Sequence, residues 1–587
     1  MIFPVRSDLR AVSVSVSASR AWPNRYDVIV FAVLAAIAVA VLHGARGMGA
    51  SLGQLVVAPV TLDAANLPNY ALRTTMRMFA AIAASLVFTF IVGALAAKSR
   101  KAELVIIPAL DILQSVPVLG FLTFTVVFFM GLFPGSQLGA ELAAIFAIFT
   151  SQAWNMAFSF YQSLKTVPRD LDEACRHFRL SPWLRFWRLE APFATPGLVW
   201  NTMMSMSGGW FFVVASEAIT VGDTKVQLPG IGTYLGLAIE QRDLGAVGAA
   251  VGAMAIVILL YDQLIFRPVV AWADKFRVEA TAAQSRPRSW AYDIIRRTRL
   301  LKEIVARAVW VRDLLPRIPV EFTHHRFGTQ FVSLHSTQFP KIADWFWLGL
   351  VLAATVWSLW TIVAYVGTSL GPKDVSEAAG AGLLTMLRVL VLIAVASLIW
   401  VPIGVWIGLR PWAAEWVQPL AQFLAAFPAN VLFPFFVVGI AAWQLNPNIW
   451  LSPLMVLGTQ WYILFNVIAG AKAFPTDLQE TAALYRLGTW QWWRQVILPG
   501  IFPYYVTGAL TASGGSWNAS IVAEVASWGD TKLEAIGLGA YIAKATEAGD
   551  YHRVVLGIAV MSFFVLIFNR ILWRRLYAYA ERKLRLD

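Results

Sequence analysis

Apolar runs about as long as a bilayer is thick recur along this 587-residue chain, and they decide what it can become. Crossing about 30 Å of hydrocarbon takes roughly 20 helical residues. Such runs lie near Val28 to His43, Phe79 to Ala97, Leu104 to Phe133, Leu138 to Tyr161, Thr195 to Val221 and Ala246 to Ala271. A second set lies near Trp345 to Tyr365, Leu383 to Leu409, Trp416 to Ala442, Trp450 to Ala471, Phe502 to Trp528 and Val554 to Leu576. With 58% hydrophobic residues, 14% charged residues and 26 tryptophans, the chain carries more apolar surface than one soluble core can hide. The expectation is an all-α membrane protein of about 12 transmembrane helices, six in each half.

The net charge of +13 reads as topology rather than as a nucleic-acid partner. With the N-terminus inside, Arg20, Arg25, the turn Lys98 to Lys101 and the tail RRLYAYAERKLRLD all face the cytoplasm, while Gly44 to Asn69 and Gly222 to Asp243 are poorer in Lys and Arg. No A-x-A-like site follows the first apolar run, so an uncleaved first span is expected. The lone cysteine, Cys175, excludes an intramolecular disulfide. Four segments follow: a cytoplasmic tail over 1–25, a first repeat over 26–272, a basic cytoplasmic linker over 273–341 and a second repeat over 342–587. Within the linker, SWAYDIIRRTRLLKEIVARAVWVRDLLP has apolar residues at helical spacing. Two placements remain open for it, on anionic headgroups or packed against the protein. His324, His325 and His335 lack Cys or carboxylates at ligand spacing and read as ordinary polar residues, so no metal site is expected.

The two repeats are tied together by fixed intervals. DEACRHFRLSPWLRFWRLEAP, Asp172 to Pro192, is echoed by QETAALYRLGTWQWWRQVILP, Gln479 to Pro499. The same 307 positions separate Trp210 from Trp517, Glu217 from Glu524, Gly230 from Gly537, and the two GDTK stretches that begin at Gly222 and Gly529. Upstream the interval is 311, joining Arg77 to Arg388 and Pro117 to Pro428. An even number of spans gives both copies one orientation, hence a pseudo-two-fold axis along the membrane normal.

The two echoes, within 163–192 and 472–499, resemble the EAA loops of permeases in ATP-binding-cassette (ABC) importers. The motif reads roughly E-A-A-x-x-x-G, followed by aromatic and basic residues and then L-P. Glu173, Ala174, Trp183, Phe186 and Pro192 match it in the first copy, and Glu480, Ala482, Trp490, Trp493, Leu498 and Pro499 in the second. Arg179 and Arg486 stand where the family has glycine. The resemblance covers nearly the whole chain apart from the linker and the N-terminal tail. It points to the nitrate, taurine and sulfonate branch in its duplicated form. It implies type I permease repeats in a bacterial inner membrane, and it implies that each loop inserts a coupling helix into one of two cytoplasmic ATPase copies, with an extracytoplasmic (periplasmic) binding protein delivering a small anion. ATP and Mg would belong to those ATPase subunits, because this chain has no G-x-x-x-x-G-K-[ST] loop and no catalytic constellation. The chain itself is expected to hold no cofactor and to be no enzyme.

Polar and aromatic residues inside spans are expensive facing lipid and so are candidates for a substrate path. They are Gln114, Gln152, Trp154, Asn155, Ser207 and Trp210 in the first half, and Asn430, Gln460, Trp461, Asn466, Ser513, Trp517 and Asn518 in the second. Four charges remain near span ends: Arg77, Glu217, Arg388 and Glu524. They are expected to pair within each half, Arg77 with Glu217 and Arg388 with Glu524. Two other functions compete with import. An ion-coupled secondary transporter would carry ionisable groups in the middle of several spans, whereas a non-transporting scaffold would have no use for duplicated coupling loops.

Overall fold

The computed structural model describes residues 60–114, 118–134, 136–178, 180–221, 224–276, 289–298, 339–472, 474 and 476–583, together with scattered positions between 26 and 39. The expected first span, Pro117, Arg179, Gly222, Asp223, the three linker histidines and most of the linker lie outside the described residues.

Helices begin where a side chain is available for the orphan N–H groups of a first turn. The sixth span of the first half starts after Asp243, which accepts from Gly245 N at 2.9 Å and Ala246 N at 3.0 Å. Its counterpart starts after Asp550, which accepts from Arg553 N at 3.1 Å. Among the described residues, seven helices are long and apolar enough to cross a membrane: Ala64–Lys98, Gln137–Lys165, Leu244–Phe276, Gly349–Gly367, Pro372–Gly408, Thr489–Ala523 and Tyr551–Ala580. Counting each bent pair as one span brings the number to nine, short of the 12 expected. The remainder are the first span, the third span of the first half, described as the two helices Arg100–Leu113 and Val118–Leu132, and the fifth helix of the first half, Ala191–Glu217. That last helix is diluted by Asn201, Thr202, Ser205, Ser207, Gly208 and Gly209.

The second spans start earlier than the apolar runs suggest, at Leu67 and Pro372, because their polar first turns are helical as well. Two short antiparallel hairpins join the fifth helices to the next element, Ala218–Val221 with Thr224–Gln227 and Val525–Trp528 with Thr531–Glu534. The second GDTK stretch therefore holds the turn of its hairpin at Gly529 and Asp530, and in the first Thr224 and Lys225 open the returning strand. We call this side the hairpin end and the other the loop end. Near the loop end, π-helical turns occur at Phe186–Glu190 and Trp493–Ile497, and at Asp262–Phe266 and Asn569–Trp573, each pair 307 positions apart. The short linker helix Trp290–Arg297 packs on the protein, with Trp290 Nε1 donating to Gln263 Oε1 at 3.2 Å. Helix Gly349–Gly367 is apolar and open along most of its length, with Leu352, Val356, Trp357, Trp360 and Val363 all exposed, as suits a surface that faces lipid.

The halves interlock through their broken third spans. In the second half, Trp412–Ala426 and Ala429–Ala442 meet at 79° just after Pro428. In the first half, Arg100–Leu113 gives way to Val118–Leu132. Val118 N, an orphan of that new helix start, donates to Asn518 Oδ1 at 2.8 Å, a cap supplied by the other half. In return Asn430 Nδ2 donates to Phe211 O at 3.1 Å, and Phe211 stands 307 positions before Asn518. The apolar cores follow the same exchange: Val118, Leu122 and Val126 belong to the core of the second half, and Ala426 and Val431 to that of the first. The fourth span also differs between halves. It is continuous over Gln137–Lys165 but bent by 46° between Pro447–Leu457 and Trp461–Lys472.

Asn518→Leu should strand the Val118 N–H and lower stability by about 1–3 kcal/mol, the usual penalty for an unsatisfied buried donor. Asn466→Leu is the control, because the Asn466 amide bonds only Tyr462 O of its own helix, at 2.8 Å. Thermal unfolding of the detergent-solubilised chain should show a clearly lower midpoint for the first variant than for the second.

Candidate functional site

Each echo segment folds as two short helices at the loop end, Arg169–His177 with Pro182–Arg185 and Thr476–Leu484 with Thr489–Trp492. In the first copy Asp170 and Asp172 open the first helix and Arg176 and His177 close it, charges that complement the helix dipole. The connecting turns match bond for bond. Phe178 N donates to Ala174 O at 3.0 Å and Leu180 N to Cys175 O at 3.1 Å; Tyr485 N donates to Thr481 O at 3.0 Å and Leu487 N to Ala482 O at 3.2 Å. Such a helix end calls for one residue in the left-handed region, usually glycine. Arg486 occupies it with φ +49°, so the turn is kept and the arginine carries the conformational cost.

Glu173, Ala174 and Glu480 are exposed, Ala482 is buried, and Trp183, Phe186 and Trp493 are half-buried. Trp183 and Phe186 both pack on the ring of Trp187. Trp490 is 73% exposed. Sequence reasoning passed over Phe178 and Tyr485, which are 75% and 77% exposed at the tips of the two first helices. Their separation of 307 is the signal that could have found them.

At the hairpin end the four isolated charges come together within their own halves. Arg77 Nη1 lies 2.7 Å from Glu217 Oε1, and Arg388 Nη1 lies 3.0 Å from Glu524 Oε1. Arg77 is fully buried and also holds Glu141 in a two-pronged contact, Nε to Oε2 at 2.5 Å and Nη2 to Oε1 at 2.7 Å. Glu141, a single carboxylate inside an apolar run, is a third residue that sequence reasoning missed. Its repeat counterpart is Asn448, which accepts from Arg388 Nη2 at 3.2 Å and from Ile536 N at 2.8 Å. The first half thus adds a carboxylate, Glu141, and one helical turn before Arg77 a second arginine, Arg73, where the second half has Asn448 and Leu384.

Both fifth-helix carboxylates are wrapped by backbone. Gly232 N donates to Glu217 Oε2 at 2.7 Å and Ala540 N to Glu524 Oε2 at 3.1 Å. A Cβ on Gly230 or on Gly537 would fall 2.3 Å from carboxylate atoms of Glu217 or Glu524, which explains glycine at both positions.

The path candidates are dispersed. Trp210 and Trp517 are sealed in the two cores, and Gln152 and Ser513 are buried as well. Gln152 Nε2 lies 3.1 Å from Met78 Sδ. Trp154 packs edge-on against Phe88 and Phe149. Asn155 bonds Ser205 at 3.1 Å, and Gln460 accepts from Trp400 Nε1 at 2.9 Å, with Trp461 against the Trp400 ring. Asn466 bonds its own helix, Ser207 is half-buried and Gln114 is exposed. Asn430 and Asn518 meet the opposite half at the seam, where Gly208 of the first half also faces the Tyr462 hydroxyl of the second.

Removing one partner of a buried ion pair costs about 3–5 kcal/mol. Arg77→Met strands two carboxylates and should fall at or above the top of that range, whereas Arg388→Met strands one and should fall near the bottom. Thermal midpoints of the two variants report the order, and equal losses would contradict it. Arg486→Gly should raise stability by up to about 1 kcal/mol by relieving the left-handed arginine, read as a higher midpoint in the same assay.

Comparison with known proteins supplies the wider context. The family model described as binding-protein-dependent transport system inner membrane component matches twice, over residues 89–267 and 400–586. The chain is 26% identical over 177 residues to the bicarbonate transport system permease protein CmpB of Synechococcus elongatus, covering 30% of this chain and 60% of that protein. It is 26% identical over 182 residues to the nitrate import permease protein NrtB of Leptolyngbya laminosa, covering 31% and 62%. It is 28% identical over 244 residues to the glycine betaine/proline betaine transport system permease protein ProW of Escherichia coli, covering 41% and 62%. The matches thus span about three fifths of the length of these relatives. With the family domain present in both halves, each ending in the same loop-and-helix arrangement, the chain belongs to the binding-protein-dependent transport system inner membrane components.

Proposed function

We propose that this chain is the permease of an ATP-driven importer for a small anion, one polypeptide doing the work of two subunits. The observation that carries the reading is the pair of exposed loop-end helices, built with the same bonds 307 positions apart. Each presents apolar side chains to solvent, Phe178 in the first and Leu484, Tyr485 and Trp490 in the second. Exposed aromatics on a short rigid helix suit a partner's pocket, where such anchors contribute about 2 kcal/mol or more. Two docking helices call for two copies of a cytoplasmic ATPase, which would carry the ATP and Mg. Glu173 and Ala174 in the first loop and Glu480 in the second lie on the surface each copy would meet, with Ala482 packed beneath it.

The loop end then faces the cytoplasm of a bacterial inner membrane, with both termini on that side, in keeping with the basic residues collected there. The hairpin end faces the binding protein. The buried Arg77 and Arg388 clusters brace the second, fourth and fifth spans beneath that docking face. Relatives named for bicarbonate and nitrate favour a small oxyanion. The anion would pass along the seam between the halves, where Asn430, Asn518, Ser207 and Tyr462 offer neutral polar groups and Gln114 lies near its edge.

The test is ATP hydrolysis and uptake in proteoliposomes holding the chain and its ATPase. Binding protein loaded with bicarbonate, nitrate or a sulfonate is added in turn. One loaded anion should raise hydrolysis and accumulate inside, and Glu173→Lys with Glu480→Lys should abolish the stimulation while leaving the chain inserted. Wild-type uptake by that double variant would remove the assignment of these loops. Trp490→Ala should weaken ATPase co-purification by about 2 kcal/mol, or roughly thirtyfold in affinity.

A further inference from the structure

The two loops share a backbone but not a mount. In the first half, Arg185, just before the π-helical turn, reaches back 2.7 Å to Asp172 of the docking helix and 2.9 Å to Glu190 at the start of the fifth helix. Glu190 is buried and also pairs with Lys98 at the loop end of the second span. A second cluster lies beside it: Glu103, on the helix that follows Lys98, accepts from Tyr161 Oη at 2.5 Å and from Lys165 Nζ at 2.9 Å, both at the end of the fourth span. The elements that meet around the first loop are thus held by charge.

At the equivalent positions the second half has Leu409 for Lys98, Ala414 for Glu103, Ile468 for Tyr161, Gln479 for Asp172, Trp492 for Arg185 and Ile497 for Glu190, and only Lys472 keeps the charge of Lys165. Ile497 is fully buried, with Trp492 and Leu409 packed against the same core, and Ala414 and Ile468 share another apolar cluster. The substitutions are concerted: every member of the first ionic cluster is replaced, as is the Glu103–Tyr161 contact.

We infer that the two docking loops are mechanically unequal, the first mounted on a charge-held joint with Arg185 and Glu190 as its positioning residues, the second on a joint packed apolar around Trp492 and Ile497. Partly exposed ion pairs weaken as salt shortens the Debye length, whereas apolar packing does not. Ionic strength therefore loosens the first loop more than the second. For its consequence, unequal engagement of two ATPase copies, this inference rests on the proposed function; for its test it does not.

The test is hydrogen exchange of the full chain in nanodiscs, without ATPase, in 0.05 M and 0.5 M KCl. Peptides over 169–185 should exchange at least about threefold faster at the higher salt, as the screening length falls from roughly 13 to 4 Å. Peptides over 476–492 should change clearly less. Glu190→Gln should make the first loop fast at both salts, and Arg185→Lys should retain the salt response. Transplanting the second-half set, Lys98→Leu with Asp172→Gln, Arg185→Trp and Glu190→Ile, should make it slow at both, which keeps the test decisive if Glu190→Gln fails to fold. Equal salt responses in the two loops, or a transplant that still responds, would overturn the inference. Failure of the ATPase reading shows up separately, in hydrolysis by the complex.

Discussion

A helix broken inside hydrocarbon must find partners for the backbone groups it releases, because no water is there to take them. In this chain the first half draws one such partner from the second. Pro428 marks the break in the second half, Asn518 caps the helix that starts at Val118 in the first, and Asn430 reaches Phe211 across the seam. Because each broken third span also fills part of the opposite core, neither half completes its own packing. Fusing the two repeats into one polypeptide guarantees that the complementary breaks meet. The seam is therefore where each half completes the packing of the other.

The hairpin end obeys a related rule for charge. A carboxylate sunk among apolar helices needs a cation and donors close by. Glu217 and Glu524 each have an arginine from the second span and a backbone N–H from the turn after the hairpin. Thr385 adds a hydroxyl to Glu524 at 2.8 Å and accepts from Leu538 N at 2.9 Å, while its counterpart Thr74 accepts from Ile231 N at 3.0 Å. The same backbone cradle surrounds different charge sets, two carboxylates on Arg77 against one carboxylate and Asn448 on Arg388. The halves thus share their architecture while differing in electrostatics at both ends.

Much of this organisation was legible because duplication leaves a ruler in the sequence. The 307 interval singled out the loops, the fifth-helix glutamates and the glycines around them. Arg77 with Glu217 and Arg388 with Glu524 were legible as partners because each is an isolated charge at the edge of an apolar run. Glu141 was not, since its counterpart is an uncharged asparagine and the interval carries no charge there. Polar residues within spans misled in a different way. Trp210 and Gln152 carry the composition of a path but serve packing, which no linear pattern separates from lining a channel. Asn518 as a cap for Val118, 400 positions away, leaves no local trace. The start of the second spans at Leu67 and Pro372 was obscured because polar first turns lack the apolar signal that the spans were read from.

The proposed function requires one chain to offer docking loops to two ATPase copies. Native mass spectrometry of the chain purified with its ATPase tests that directly. It should show one permease with two ATPase copies, falling to one copy when Tyr485→Ala and Trp490→Ala disable the second loop alone. A single ATPase on the wild-type chain, or two permease chains in the smallest active assembly, would contradict it.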